Sequence, residues 1–143
     1  MRKIYVCMMF LFLGLCLNAQ TERDYHNFKN HQVDNFINEV YGDQAQKMIF
    51  SNQKRYDALK KLIVERMQII RQPKIRDKVY PKITERGMLD MYNKNLKHDS
   101  FFNKSTFNPL KYNIEFFDIK ARAYRIDNTE YLLIIQPQPK LKN

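Results

Sequence analysis

Tyr112, Ile114 and Phe116 alternate with Asn113 and Glu115, which is the strand period of two and predicts a strand over residues 112–117. Asp118 breaks the pattern. Two runs rich in aromatic and β-branched side chains follow, residues 121–126 and 131–136. Between them, Asp127-Asn128-Thr129-Glu130 reads as a hairpin turn. Two registers fit. With Asn128-Thr129 as the loop, Asp127 lies opposite Glu130, and like charges directly opposite are disfavoured. With Asp127-Asn128 as the loop, Arg125 faces Glu130 and Tyr124 faces Tyr131, pairs worth about 0.2–1 kcal/mol each. The second register is preferred, and Asn128 is the residue best able to take a positive φ.

That register places Ala121, Ala123, Leu132 and Ile134 on one face. Arg122, Tyr124, Ile126, Tyr131, Leu133 and Ile135 fall on the other. The small alanines invite close approach of a helix. The second face is either covered too, or is an exposed aromatic and basic platform with Arg122, Tyr124, Tyr131 and Leu133 as binding residues.

Upstream the period lengthens. Val33, Phe36, Ile37, Val40 and Tyr41 form a helical stripe, with Gly42 as its C-terminal cap. Asp43 can cap a short second helix presenting Ala45, Met48 and Ile49. Ser51 or Asn52 opens a third over residues 53–65, striped by Tyr56, Leu59, Leu62 and Ile63, with Lys54, Arg55, Lys60 and Lys61 outward. Residues 67–71 read as a strand ended by Gln72-Pro73. In residues 74–96, Pro73 and Pro81 exclude one continuous helix. An extended arm is expected there, with an optional edge strand near residues 79–84 and a short helix over 88–92. Residues 97–111 form a long loop, functional or pinned by its aromatics. The pattern predicts a single α+β domain over residues 31–136. Its N-terminal helices pack on a small, mainly antiparallel sheet that ends in a C-terminal β-hairpin. Residues 20–30 read as a flexible lead-in and 137–143 as an extended basic tail.

Residues 1–19 read as a signal peptide. Arg2 and Lys3 supply the charged start, residues 4–17 are apolar but too short to span a bilayer, and Leu17-Asn18-Ala19 precedes a cleavage point before Gln20. The expectation is export to a periplasmic or secreted setting. Lipid attachment at Cys16 is the weaker reading, because Leu15 rather than a small residue precedes it. Removing 19 of the 143 residues leaves 124, enough for one core, with no transmembrane span. Cys7 and Cys16 both lie in the leader, so the mature chain has no disulfide, catalytic thiol or thiolate ligand.

The whole chain carries a net charge of +10. After cleavage 23 basic side chains stand against 15 acidic ones, about +8. Outside the cytoplasm this favours anionic lipid, acidic glycan or an acidic protein face over nucleic acid. Lys74, Arg76, Lys78, Lys82 and Arg86 are the candidate residues for such an anionic surface.

No glycine loop for phosphate is present. His26 and His31 are five apart, not the i, i+4 pair of a zinc helix, so neither metal nor cofactor is expected. His98-Asp99-Ser100 holds triad residue types, but consecutive residues point apart, and a polar loop is the simpler reading. Phe50-Ser51-Asn52, Phe107-Asn108-Pro109-Leu110-Lys111-Tyr112 and Tyr124-Arg125-Ile126-Asp127-Asn128-Thr129-Glu130-Tyr131 resemble segments of short exported Gram-negative bacterial proteins with no assigned function. The resemblance spans most of the mature chain. It implies a bacterial envelope setting and carries over no catalytic residue. The expected function is a non-catalytic envelope or secreted interaction protein with a protein partner. The alternatives are a basic binder of anionic lipid or acidic glycan, and a hydrolase with an unrecognised site.

Overall fold

The computed structural model describes residues 24–74 and 79–139. The expected signal peptide, both cysteines, Arg76, Lys78 and the end of the tail lie outside those residues. The chain folds as helices packed on one antiparallel four-stranded sheet of order β1-β2-β4-β3. The strands are β1 (Tyr25–Asn27), β2 (Met67–Arg71), β3 (Arg122–Arg125) and β4 (Tyr131–Ile135). The two α-helices, α1 (Asn30–Tyr41) and α2 (Gln53–Lys61), both precede β2.

The expected stripe of α1 is the buried one, with Val33, Phe36, Ile37 and Val40 in the core. Gln32 anchors its first turn. Its side-chain oxygen accepts from Lys29 N at 2.7 Å and its amide donates to Ser105 O at 2.8 Å. Gly42 follows with φ +51, a conformation that glycine adopts without a Cβ penalty. Asp43 makes no capping hydrogen bond; short 3₁₀ and wide π-type turns carry the chain from Gly42 to Phe50. Of the two candidate caps for α2, Asn52 acts: its side chain accepts from Arg55 N. The helix continues through a wide turn, Leu62–Arg66, straight into β2. Arg66 secures that junction. Its guanidinium donates to Gln136 O and Phe116 O, tying the end of β4 to the chain before β3.

Five expectations about the elements are corrected. Part of the supposed lead-in is structured, since Tyr25–Asn27 pair with β2 and Phe28 is buried. Residues 112–117 add no strand. Tyr112 and Ile114 are buried, but the only bridge is Met88 with Tyr112, which also replaces the expected helix at residues 88–92. The edge strand near residue 82 shrinks to one parallel bridge, Lys82 with Arg125. The hairpin adopts the disfavoured register: Tyr124 faces Leu133, and Ile126 N bonds Tyr131 O. The like charges that argued against it are drawn apart. Asp127 accepts from Thr84, and Glu130 pairs with Arg71 at 2.7 Å. Asn128 takes the expected positive φ, 56°, and Thr129 closes the turn by donating to Ile126 O and accepting from Tyr131 N.

Both registers sort the hairpin side chains identically, but the core lies on the opposite face from the one expected. Tyr124, Ile126, Leu133 and Ile135, joined by Met67 and Ile69 of β2, pack with the helices. Ala123 and Ile134 lie on the outer face, half-buried. Large side chains fill the space beneath α1 and α2, where alanines would leave voids.

Candidate functional site

The binding platform expected on the strand face does not exist as a surface. Tyr124 is 2 % exposed and Leu133 0 %. The Tyr124 hydroxyl accepts from Glu115 N, and the Arg86 guanidinium lies 5.8 Å from its ring. Arg122 is paired with Glu115 at 2.6 Å and with Asp118. Tyr131 donates to Asp24 Oδ2, which also meets Lys104 at 2.6 Å. Of the basic strip, Lys74 is exposed at the end of β2, Lys82 is half-buried in its bridge and Arg86 covers Tyr124. The structure therefore disperses the described members of the strip rather than gathering them.

What it gathers instead lies in the long loop. The segment from Phe107 to Tyr112 is entirely buried, and its polar groups are satisfied one by one. Asn108 donates to Phe36 O at 3.1 Å and Glu39 Oε2 at 2.9 Å, while its oxygen accepts from Leu110 N at 3.0 Å. Lys111, 4 % exposed, sets its ammonium 2.6 Å from Glu39 Oε1 and 2.7 Å from Asp99 Oδ1. Burial alone would depress this ammonium, but the hydrogen bonds it donates to Asp99 and Glu39 outweigh it and hold its pKa above the usual lysine value. Glu39 on α1 is thus the post to which two parts of the loop are tied. Lys111 was legible only as a charge inside an apolar run, Leu110 to Ile114.

Above this network lies a cleft of about 390 Å³. One wall is the turn at Ile83 and Thr84, the second is His98 to Phe102, and the third is the β3–β4 turn from Ile126 to Thr129. Phe107 and Tyr112 complete it. So His98, Asp99 and Ser100, read from sequence as a polar loop, do line a cavity. Asp99 is engaged by Lys111, and Asp127 by the Thr84 hydroxyl and amide. The His98 ring stands 5.8 Å from that of Tyr112. The Tyr112 phenol is pushed up to about 12, first by burial and then by the negative charge of Asp99. A wider hollow of about 460 Å³ beside Arg66 and Gln68 offers less, since Arg66 is committed to two carbonyls. Among the described residues, no group of three or more His, Cys, Asp and Glu is arranged to hold a metal ion, and no helix is long and apolar enough to cross a membrane.

Comparison of the chain with protein-family models, with curated proteins and with solved structures returns no match. The fold and the cleft therefore stand on their own: an α+β domain with a polar and aromatic cavity closed by three loops.

Proposed function

We propose that the protein is an exported binding protein that works by recognition rather than by bond-making, with its ligand in the cleft between Thr84, the His98–Phe102 loop and the β3–β4 turn. One observation carries this reading. The two carboxylates of the cleft are already engaged in fixing loops, Asp99 to Lys111 and Asp127 to Thr84. They are held in place but keep their charge, and the surface around them is aromatic and hydroxylic, a composition suited to holding a ligand. Export is supported by the charged and apolar pattern of residues 1–19. With Tyr124 and Leu133 buried, this reading takes the cleft rather than the strand face as the interaction surface.

A second reading, hydrolysis, is favoured by the convergence of His98, Ser100 and Asp127 on the same cavity. One experiment separates them. The mature chain from Gln20 is incubated with the low-mass fraction of an envelope extract, and the compounds retained and released are identified by mass spectrometry. A compound retained unaltered supports binding, and a compound released in cleaved form supports hydrolysis. If nothing is enriched over a Phe101→Lys variant, which blocks the mouth, the cleft is not the site.

A further inference from the structure

The cleft has the opposite electrical character to the protein that contains it. The chain holds 25 Lys and Arg against 15 Asp and Glu, yet none of the cleft's lining residues is Lys or Arg, and Asp99 and Asp127 both line it. The ammonium behind Asp99 does not cancel this, because Lys111 is shared with Glu39. Asp127 is met by the neutral donors of Thr84. Glu39 and Asp99 thus share one ammonium, and no Lys or Arg lines the cleft to offset Asp127. In a cavity with low-dielectric walls, such an excess focuses the field toward the opening.

A second feature is independent of charge. Tyr112 is 3 % exposed and lines the cleft, and its hydroxyl makes no hydrogen bond among the described residues. Asn108 and Lys111, a few residues away, find their partners within the protein, whereas the Tyr112 hydroxyl opens on the cleft and is left for a ligand or solvent to meet. Aromatic surface completes the site: Phe102 and Phe107 meet edge to face, and Phe101 stands 79 % exposed beside them. Aromatic faces attract cations as well as apolar groups.

We infer that the cleft binds a small organic cation, a primary ammonium or guanidinium compound. Its charged head is neutralised by Asp127 and Asp99 and donates to the Tyr112 oxygen, and its hydrocarbon body lies on Phe101 and Phe102. An organic cation fits better than a metal ion, because the site supplies aromatic area and too few grouped ligands for a metal. This inference rests on the cleft being a binding site.

The test is isothermal titration of the mature chain with cadaverine and agmatine, alongside sorbitol and glutarate as neutral and anionic probes. Saturable one-to-one binding of a cation is expected, weakening as salt rises. Asp127→Asn, whose amide oxygen can still accept from Thr84, should weaken it by at least about tenfold. Phe101→Lys, at an exposed position where the melting temperature should hold, should weaken it likewise. Cation binding that both variants retain overturns the assignment of the site. Binding of sorbitol or glutarate in preference overturns the choice of a cation and leaves the cleft as a binding site. If no probe binds and the extract experiment also enriches nothing, both readings fall.

Discussion

Replacing Lys111 with methionine removes one ammonium while keeping a side chain of similar length, so it isolates the charge that ties the long loop to α1. Removing one partner of a buried ion pair costs about 3–5 kcal/mol, because the remaining charge is left uncompensated. Here the stranded carboxylates of Glu39 and Asp99 are partly solvated, so water relieves some of the loss, and the lower end, about 3 kcal/mol, applies. For a chain of this size each kcal/mol lowers Tm by about 3–5 °C, which predicts a fall of roughly 10–15 °C. Glu39→Gln and Asp99→Asn each leave the ammonium one carboxylate and should cost only about 1–2 kcal/mol. Because the three groups share one site, their effects should not add: Lys111→Met should be milder in the Glu39→Gln, Asp99→Asn background than in the parent. Urea unfolding of these variants, followed by circular dichroism, measures each term. A Lys111→Met midpoint within about 0.5 kcal/mol of the parent would refute the tie, since that is the size of an ordinary surface change.

Three further outcomes are expected. Tyr124→Asp should abolish folding rather than selectively weaken a contact, because it buries a carboxylate at a cost of roughly 4 kcal/mol or more, whereas Tyr124→Phe loses one hydrogen bond, about 1 kcal/mol; a folded, stable Tyr124→Asp chain would contradict the placement of that face in the core. In an ultraviolet titration one tyrosine should ionise at about 12 rather than near 10, and Tyr112→Phe should remove it. The unfolded phenol ionises first, so stability should hold below pH 10 and drain as pH rises above it; no change in the alkaline limb with Tyr112→Phe would count against this. Asp24 and Asp118 are held below the ordinary aspartate value of 3.8, Asp24 chiefly by Lys104 and Asp118 by the Lys120 amide and Arg122. Their contribution is present above that value and is lost as pH falls through the lower folded ones, so Asp24→Asn with Asp118→Asn should flatten the stability curve below about pH 4 and leave a neutral-pH slope untouched.

Elements that depend on local period were readable in the sequence, and those that depend on a distant partner were not. The stripe from Val33 to Val40, the strand at Met67–Arg71 and the cap at Asn52 need only neighbours within a turn or a strand. The hairpin register needed two residues that cross-strand rules cannot see, Thr84 and Arg71, which draw Asp127 and Glu130 apart. The choice of core face was equally invisible, since both faces of the hairpin are apolar and only the volume beneath the helices selects Tyr124, Leu133 and Ile135 over the alanine side. Residues 112–117 show the converse error. Their alternation is real in burial, but the backbone bonds go to Gly87 O and to the Tyr124 hydroxyl instead of to a neighbouring strand.

The cleft was beyond any motif search for a related reason. Its walls come from residues 83–84, 98–102, 107, 112 and 126–129, so no spacing within one segment encodes it. The order His98-Asp99-Ser100 reads as a polar loop, and that reading misses that the same residues face a cavity. A different kind of signal was present. In a chain with 25 Lys and Arg among 143 residues, residues 98–103 contain none, nor do residues 126–139. Basic side chains that keep the rest of the surface charged are withheld from the segments that meet at the cleft, while an aspartate is kept in each. Local depletion of the prevailing charge is legible without a fold. When two depleted segments are brought together beside the Tyr112 hydroxyl, which opens on the cavity, the depletion acquires a chemical meaning that neither segment has alone.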